Sequence, residues 1–360
     1  MAEVSKAADD GKHIYFKKLE SFASPIDFAT VKDMPGLTEL EFLKNMNGSL
    51  FKITKEESEL LMDIIRTENP CQKSKELTPY SKNDFLSEVF MDEETYDRMR
   101  ALLEDKKNII LQGAPGVGKT YTAKRLAYSI LGNKDEDKME MVQFHQSYSY
   151  EDFVMGYKPN ENGGFDLQRG IFYKFCAKAK SDPDHKYFFI IDEINRGNLS
   201  KIFGELLMLI ENGYRGEEIT LAYNQELFSV PKNLYIIGMM NTADRSLAMM
   251  DYALRRRFSF VEMKPGFATD GFRNYLERLS SDIFDQVIAG IVQLNQVIAN
   301  DDSLGDGFCI GHSYFCNQEK ISREWLKNVI EFDIIPMLHE YWFDDKNKCQ
   351  QEIENIKSCL

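Results

Sequence analysis

The segment Gly113-Ala114-Pro115-Gly116-Val117-Gly118-Lys119-Thr120 restricts this 360-residue chain more than any other stretch. It follows the short apolar run Asn108-Ile-Ile-Leu111 and precedes Tyr121 to Leu131, which reads as a helix. Strand, glycine-rich loop and helix, in that order, make G-x-x-x-x-G-K-[ST] a polyphosphate cradle. Its glycines let backbone N–H groups curl round phosphate oxygens, and the helix N-terminus adds positive potential. Lys119 is expected to reach the β- and γ-phosphates, and Thr120 to set its hydroxyl on Mg²⁺. Tyr121 borders the same nucleotide-contacting stretch.

The surrounding pattern agrees with such a loop. From Lys107 onward, short apolar runs alternate with helical segments, the signature of a parallel sheet covered on both faces. Five strands are expected: Asn108–Leu111, Met141–His145, Tyr187–Ile191, Leu234–Met239 and Ser259–Met263. Nearly continuous apolar character fits strands buried on both sides. Gly163 to Phe172 predicts a small hairpin before a helix Tyr173–Lys180, and Glu218–Val230 predicts another that turns near Tyr223-Asn224-Gln225. Beyond Pro265 the chain reads as helical to its end. Phe284, Val287, Ile288, Ile291, Leu294 and Ile298 share one helical face there. The fold class is α/β, with three parts. Residues 1–80 form a short, mainly helical N-terminal region and linker, 81–264 an α/β nucleotide-binding core, and 265–360 a helical subdomain.

In the first part, Leu60, Leu61, Ile64 and Ile65 line one face of a helix over Lys55–Arg66. The prolines at 70 and 79 mark a linker. A helix pair follows, the first capped by Ser81 or Asn83, the second over Asp92–Glu104 with Tyr96, Met99 and Leu103 inward. Residues 1–80 hold 11 Lys or Arg against 14 Asp or Glu, so they carry no basic stripe for nucleic acid. The whole chain has a net charge of -14, which argues against a uniformly basic surface. Its six cysteines show no C-x-x-C spacing, as expected of reduced thiols in the cytoplasm rather than a disulfide frame or zinc site. No apolar run is long enough to span a bilayer, and Met1 to Lys12 is too polar for a signal peptide.

Three further elements carry chemistry. Tyr187-Phe-Phe-Ile-Ile-Asp192-Glu193 is an apolar strand ending in two carboxylates. Strand alternation would aim them differently, Asp192 toward Mg²⁺ and Glu193 toward the attacking water. Taken alone, the pair could be two solvated acids at a strand end. Leu234 to Asn241 is a second such strand ending in an amide, which can hold the lytic water or touch the γ-phosphate without adding charge. A turn or cap role is the plainer alternative for Asn241. Asn241-Thr-Ala-Asp244 also resembles the N-K-x-D guanine-reading signature, but its place at a strand tip favours hydrolysis. Arg255, Arg256 and Arg257 precede the fifth strand. An arginine offered to a neighbouring subunit's γ-phosphate contributes about 10³–10⁵ in rate. The alternative is a surface cluster for nucleic acid or local acids.

In this order the elements resemble the AAA+ NTPases and, more narrowly, the McrB motor subunits of modification-dependent restriction systems. Beyond the motifs above, the resemblance rests on Val142 to Phe153, Ile191 to Glu205, Met240 to Ala248, Asp251 to Phe258 and Gly311-His-Ser-Tyr-Phe315. It covers about residues 80 to 345. It implies a ring, expected to be a hexamer, with nucleotide between subunits, GTP favoured over ATP, Mg²⁺, and an McrC-like nuclease partner. DNA would be engaged through the assembled complex, with no membrane. By motif, Lys119 and Thr120 hold phosphate and metal, Asp192 and Glu193 serve metal and water, and Asn241 and Asp244 position the hydrolytic groups. Arg256 and Arg257 act in trans, and Arg196 links the site to the partner. No lid arginine matches; His312 to Tyr314 mark the lid's approach. The first 80 residues depart from the family's DNA-reading modules. The other readings are an NTP-gated scaffold or AAA+ ATPase of another defence system, nearly inert without its partner, and a DNA-binding regulator using the arginines.

Overall fold

The computed structural model describes residues 2–7, 14–18, 31–32, 34, 36–37, 40–44, 53–68, 77–160, 163–243 and 252–360. They fall into two compact units, Met1–Glu76 and Leu77–Leu360. In the first unit, strands β1 (Ala2–Ala7) and β2 (Ile14–Lys18) pair antiparallel. The sequence reading had only helices here, although Ile14-Tyr15-Phe16 is a β-forming run. Helices span Glu41–Lys44 and Lys55–Glu68. Leu37, Leu40 and Ile64 are buried, with Leu60 and Leu61 packed against them. Most of the expected linker, 69–76, lies outside the described residues.

The second unit opens with the helix pair. Ser81 caps Lys82–Glu88 through a capping box: its hydroxyl accepts from the Asp84 N–H, and the Asp84 carboxylate accepts from the Ser81 N–H. Asp92 caps Glu93–Lys106, which buries Tyr96, Met99 and Leu103. The core is a five-stranded parallel sheet of β3 (Asn108–Gly113), β4 (Met139–Gln143), β7 (Tyr187–Asp192), β10 (Leu234–Asn241) and β11 (Ser259–Met263). Its spatial order is β11-β3-β10-β7-β4. Two antiparallel hairpins interrupt the alternation, β5 (Met155–Pro159) with β6 (Phe165–Arg169), and β8 (Ile219–Thr220) with β9 (Leu227–Phe228). The first begins eight residues before the expected Gly163, because Met155-Gly-Tyr supplies its leading strand.

Alternation along the strands divides the sheet between two cores. Ile109, Leu111, Phe188, Ile190, Tyr235 and Ile237 face one, with the helix pair and the C-terminal helices. Ile110, Phe189, Ile191, Leu234 and Ile236 face the other, with the helix Ile171–Ser181 and the hairpin Phe228. The sheet is therefore wrapped on both sides, with its three central strands buried and the edge strands β4 and β11 only partly so. After Pro265 the chain is helical, led by Asp282–Ala299, whose Phe284, Val287, Ile288, Ile291, Leu294 and Ile298 are all buried. Asp301 locks the loop that follows. It accepts from Trp342 Nε1 at 2.8 Å and pairs with Lys348, which with Ser303 holds its carboxyl far below the usual range.

Candidate functional site

In a parallel sheet every strand points the same way, so the tips of β3, β7 and β10 collect at one edge. β10 lies between the other two, with Asn241 level with Gly113 and Gly238 level with Ile191. This edge carries the phosphate loop, the acidic pair and the terminal amide together.

The loop Gly113–Gly118 leaves β3 and enters the helix Lys119–Leu131. Gly116 and Gly118 have φ of 76° and 78°, in the left-handed region where a side chain is strained. Gly113 is constrained differently. A Cβ there would lie 2.3 Å from the Met263 carbonyl oxygen, so its bareness lets β11 close against β3. The Lys119 ammonium donates to the carbonyls of Gly113 and Ala114, both at 2.9 Å, which places it within the curl of the loop. Ala114 and Val117 are buried, while Thr120 stands half-buried in the helix's first turn. Pro115, also half-buried, completes the bend. Tyr121 turns its exposed ring over Arg125, whose Nε meets Glu88 at 2.6 Å.

β7 ends at Asp192, and Glu193 adopts φ 50°, ψ 43°. Glu193 lies in this left-handed turn, beyond the end of β7, so strand alternation does not set its direction. A non-glycine residue in that conformation is held by its surroundings. Asp192 Oδ1 accepts from the Glu193 N–H at 3.0 Å. The Glu193 carboxylate accepts from Asn241 Nδ2 at 2.8 Å and from Arg196 Nε at 3.0 Å. Asn241 is therefore the last residue of its strand, gripping the neighbouring tip, rather than a turn cap. Asp244 lies outside the described residues.

Arg256 and Arg257 sit at the opposite edge. Ser259 is level with Ile109, so the arginines precede the start of β3 rather than its loop. The Arg257 carbonyl accepts from Asn108 Nδ2 at 3.0 Å. Glu211 Oε2 lies 3.3 Å from Arg256 Nη2 and 3.6 Å from Arg257 Nε. The structure does not bring these arginines to their own chain's loop.

The C-terminal helical part touches the loop directly. The Ser313 N–H donates to the Gly116 carbonyl at 2.9 Å. A Cβ on Gly311 would fall 2.0 Å from the Gly116 carbonyl carbon, and one on Gly116 2.5 Å from the Tyr314 ring. His312 is buried against Phe90, Phe267 and Phe272, and its Nδ1 accepts from the Gly266 N–H at 2.9 Å. Burial pushes its pKa down to about 4, so the ring is neutral. Beside this contact a cleft of about 950 Å³ runs from Gly118 and Thr122 to Phe90, Asn274, Arg278 and Gln318. Its volume falls in the range of small-molecule sites.

Among the described residues, no group of three or more His, Cys, Asp or Glu could hold a metal unaided. A hydroxyl at Thr120 and a carboxylate at Asp192 instead suit Mg²⁺, which takes few protein oxygens and completes its shell with water and substrate phosphate. The acidic side chain at Glu211, the amide at Asn108 and the buried guanidinium at Arg215 were missed by sequence reasoning. No spacing rule marks one acid among 58.

The family model of the AAA domain (dynein-related subfamily) matches residues 108–258, and that of the McrB alpha-helical lid domain matches residues 286–350. The EcoKMcrB subunit of the type IV methyl-directed restriction enzyme of Escherichia coli strain K12 is 51% identical over 284 residues, 76% of this chain and 62% of that protein. The BsuMI component YdiS of a type II restriction enzyme of Bacillus subtilis strain 168 is 28% identical over 217 residues, 49% of this chain and 63% of its own. Replication factor C subunit 4 of Saccharomyces cerevisiae is 28% identical over 108 residues, 29% of either chain. The chain thus spans a little over three-fifths of the two restriction components.

Proposed function

Because this chain is an McrB-like AAA+ protein, we propose that it hydrolyses a nucleoside triphosphate, GTP or ATP, as the ring-forming motor of a DNA restriction system. The observation that carries the reading is the convergence, at one sheet edge, of the Lys119 loop with a carboxylate held by Asn241. In this reading, residues 113–121 cradle the polyphosphate and Lys119 neutralises its terminal charge. The cleft beside Gly118 takes the nucleoside. Thr120 and Asp192 hold Mg²⁺, which when bound offsets charge on the β- and γ-phosphates. Glu193 accepts the proton of the attacking water, Asn241 orients the Glu193 carboxylate, and Asp244 contributes from the adjoining segment. Arg256 and Arg257 meet the γ-phosphate of a neighbouring copy, since they stand away from their own loop. Residues 81–264 serve as the AAA+ core and 265–360 as the lid. The partners are further copies of the chain, as a hexamer, an McrC-like nuclease, and DNA through the assembled complex. The setting is the cytoplasm; among the described residues no helix is long and apolar enough to cross a membrane.

The grip on Glu193 favours one second reading. With its carboxylate engaged by both Asn241 and Arg196, the isolated chain turns over slowly and serves as a nucleotide-gated scaffold until a partner draws Arg196 away. Steady-state hydrolysis of GTP and of ATP, with and without a candidate nuclease subunit, separates the two. A motor hydrolyses nucleotide on its own and gains rate with the partner; a gated scaffold binds nucleotide, is inert alone and turns over only once the partner is present. Glu193→Gln is expected to bind nucleotide normally and lose about 10²–10⁴ in rate. Turnover near wild type would remove Glu193 from the chemistry.

A further inference from the structure

We propose that Glu211 is a positioning residue for the arginine pair, and that it does so from a buried polar node tied to β3, the strand that carries the phosphate loop. The inference rests on the reading above that Arg256 and Arg257 act on another copy's nucleotide.

Two guanidiniums on consecutive residues repel each other, and Arg257 is only 9% exposed. Burying a guanidinium is costly unless a counter-charge accompanies it. Glu211 supplies that charge, with one oxygen, Oε2, facing both Arg256 Nη2 and Arg257 Nε. Its aim is fixed from behind. Asn108 Nδ2 donates to two carbonyls at once, that of Ile210 at 2.7 Å and that of Arg257 at 3.0 Å. One amide therefore joins the residue before the carboxylate to the residue bearing the second guanidinium. Asn108 is itself held: Arg215 Nη2 donates to its Oδ1 at 2.6 Å, and Arg215 Nε donates to the Ile210 carbonyl at 2.9 Å. Arg215 Nη1 adds the Leu234 carbonyl at 3.2 Å, at the start of β10. Asn108 and Arg215 are both buried, so these bonds form in a low-dielectric region where geometry is tightly enforced. The node fixes two segments, 210–215 and 257, to the first residue of β3. The last residue of that strand, Gly113, opens the phosphate loop.

The geometry gives Arg256 and Arg257 different roles. Arg257 is buried and anchored by its own carbonyl, whereas the Arg256 side chain is 66% exposed. Glu211 holds Arg256 through its Nη2, and the guanidinium has further N–H donors on a side chain that is largely exposed. Pre-placing a long side chain saves the ordering cost of docking it at the moment of reaction. Glu211 therefore acts on the rate at the partner copy's site and not on nucleotide affinity at its own.

The test uses the full chain, with its stimulating partner if hydrolysis requires one, under conditions where it assembles. kcat, KM and assembly state are measured for wild type, Glu211→Gln, Arg256→Ala/Arg257→Ala and the triple variant. The expected result is a loss of kcat of about tenfold or more in Glu211→Gln, with KM within about twofold and assembly retained. Added to the arginine double variant, Glu211→Gln should cost nothing further, because its effect passes through those side chains. Mixing Glu211→Gln with Lys119→Ala subunits should recover rate, since each supplies what the other lacks. If Glu211→Gln lowers the melting temperature markedly, Glu211→Asp carries the test, and it should keep more rate than Gln because it keeps the charge. Normal kcat in the arginine double variant would sink the trans reading and this proposal with it. Loss in that variant, with normal kcat in Glu211→Gln, would overturn the role of Glu211 alone. A further multiplicative loss in the triple variant would also overturn it.

Discussion

At the carboxyl edge of the sheet, backbone shapes the site: Lys119 rests on two loop carbonyls, and Glu193, whose carboxylate Asn241 and Arg196 hold, leaves its strand in a left-handed turn. At the amino edge, charged side chains are held by one another and by a single amide, through Glu211, Asn108 and Arg215. A backbone-built site uses glycine and strand ends, which leave marks in sequence. A side-chain network is assembled from residues about 45 to 150 positions apart, as Glu211–Arg256 and Asn108–Arg257 are, and leaves none.

The largest expected effect tests whether the two edges belong to one catalytic unit made by two copies. Arg256→Ala/Arg257→Ala should lose about 10³–10⁵ in hydrolysis while binding nucleotide normally. Mixed with Lys119→Ala subunits it should regain activity. If co-assembled mixtures stay inactive, the amino edge does not serve another copy's carboxyl edge. A smaller effect probes the carboxyl edge alone. Lys119→Ala removes a charge-assisted contact to phosphate and should weaken nucleotide binding about 10²-fold or more, read by fluorescent-nucleotide titration. Unchanged affinity would remove the loop from the site.

The smallest effect concerns how the helical part is fastened to the carboxyl edge. His312 has a pKa near 4 in the fold against 6.5 in an unfolded chain, because burial disfavours its charged form. A depressed value means the unfolded state binds the extra proton. Its contribution is thus present above pH 6.5 and is lost as pH falls toward 4. Between pH 7 and pH 5 this amounts to about 2 kcal/mol. Denaturant titrations of the wild type and of His312→Gln should show the pH dependence flattened in the variant. An identical pH slope in both would show that the ring is not buried neutral.

Much of the fold was legible because the physics is local. Ser81 and Asp92 announce helix starts, and the five apolar runs form strands within two residues of their expected ends. Asn241 was read as more than a turn residue because it ends a buried strand, and its bond to Glu193 places it against the acidic tip. Gly113 was assigned to phosphate contact, whereas its tightest restriction comes from Met263, 150 residues away. The left-handed turn at Glu193 is not legible, since a positive φ on a glutamate has no sequence signature. Glu211, Asn108 and Arg215 were invisible because their meaning exists only after the sheet has formed.

Gly311 lies against Gly116 where two stretches almost 200 residues apart meet, with no room for a methyl group on Gly311. An engineer who grafts residues 113–120 into a foreign scaffold would therefore carry over half of a fitted joint. The loop's curvature would have to be re-created without the strip that presses on it, and variants selected for tighter nucleotide grip should accumulate changes around 311–314 as readily as in the loop.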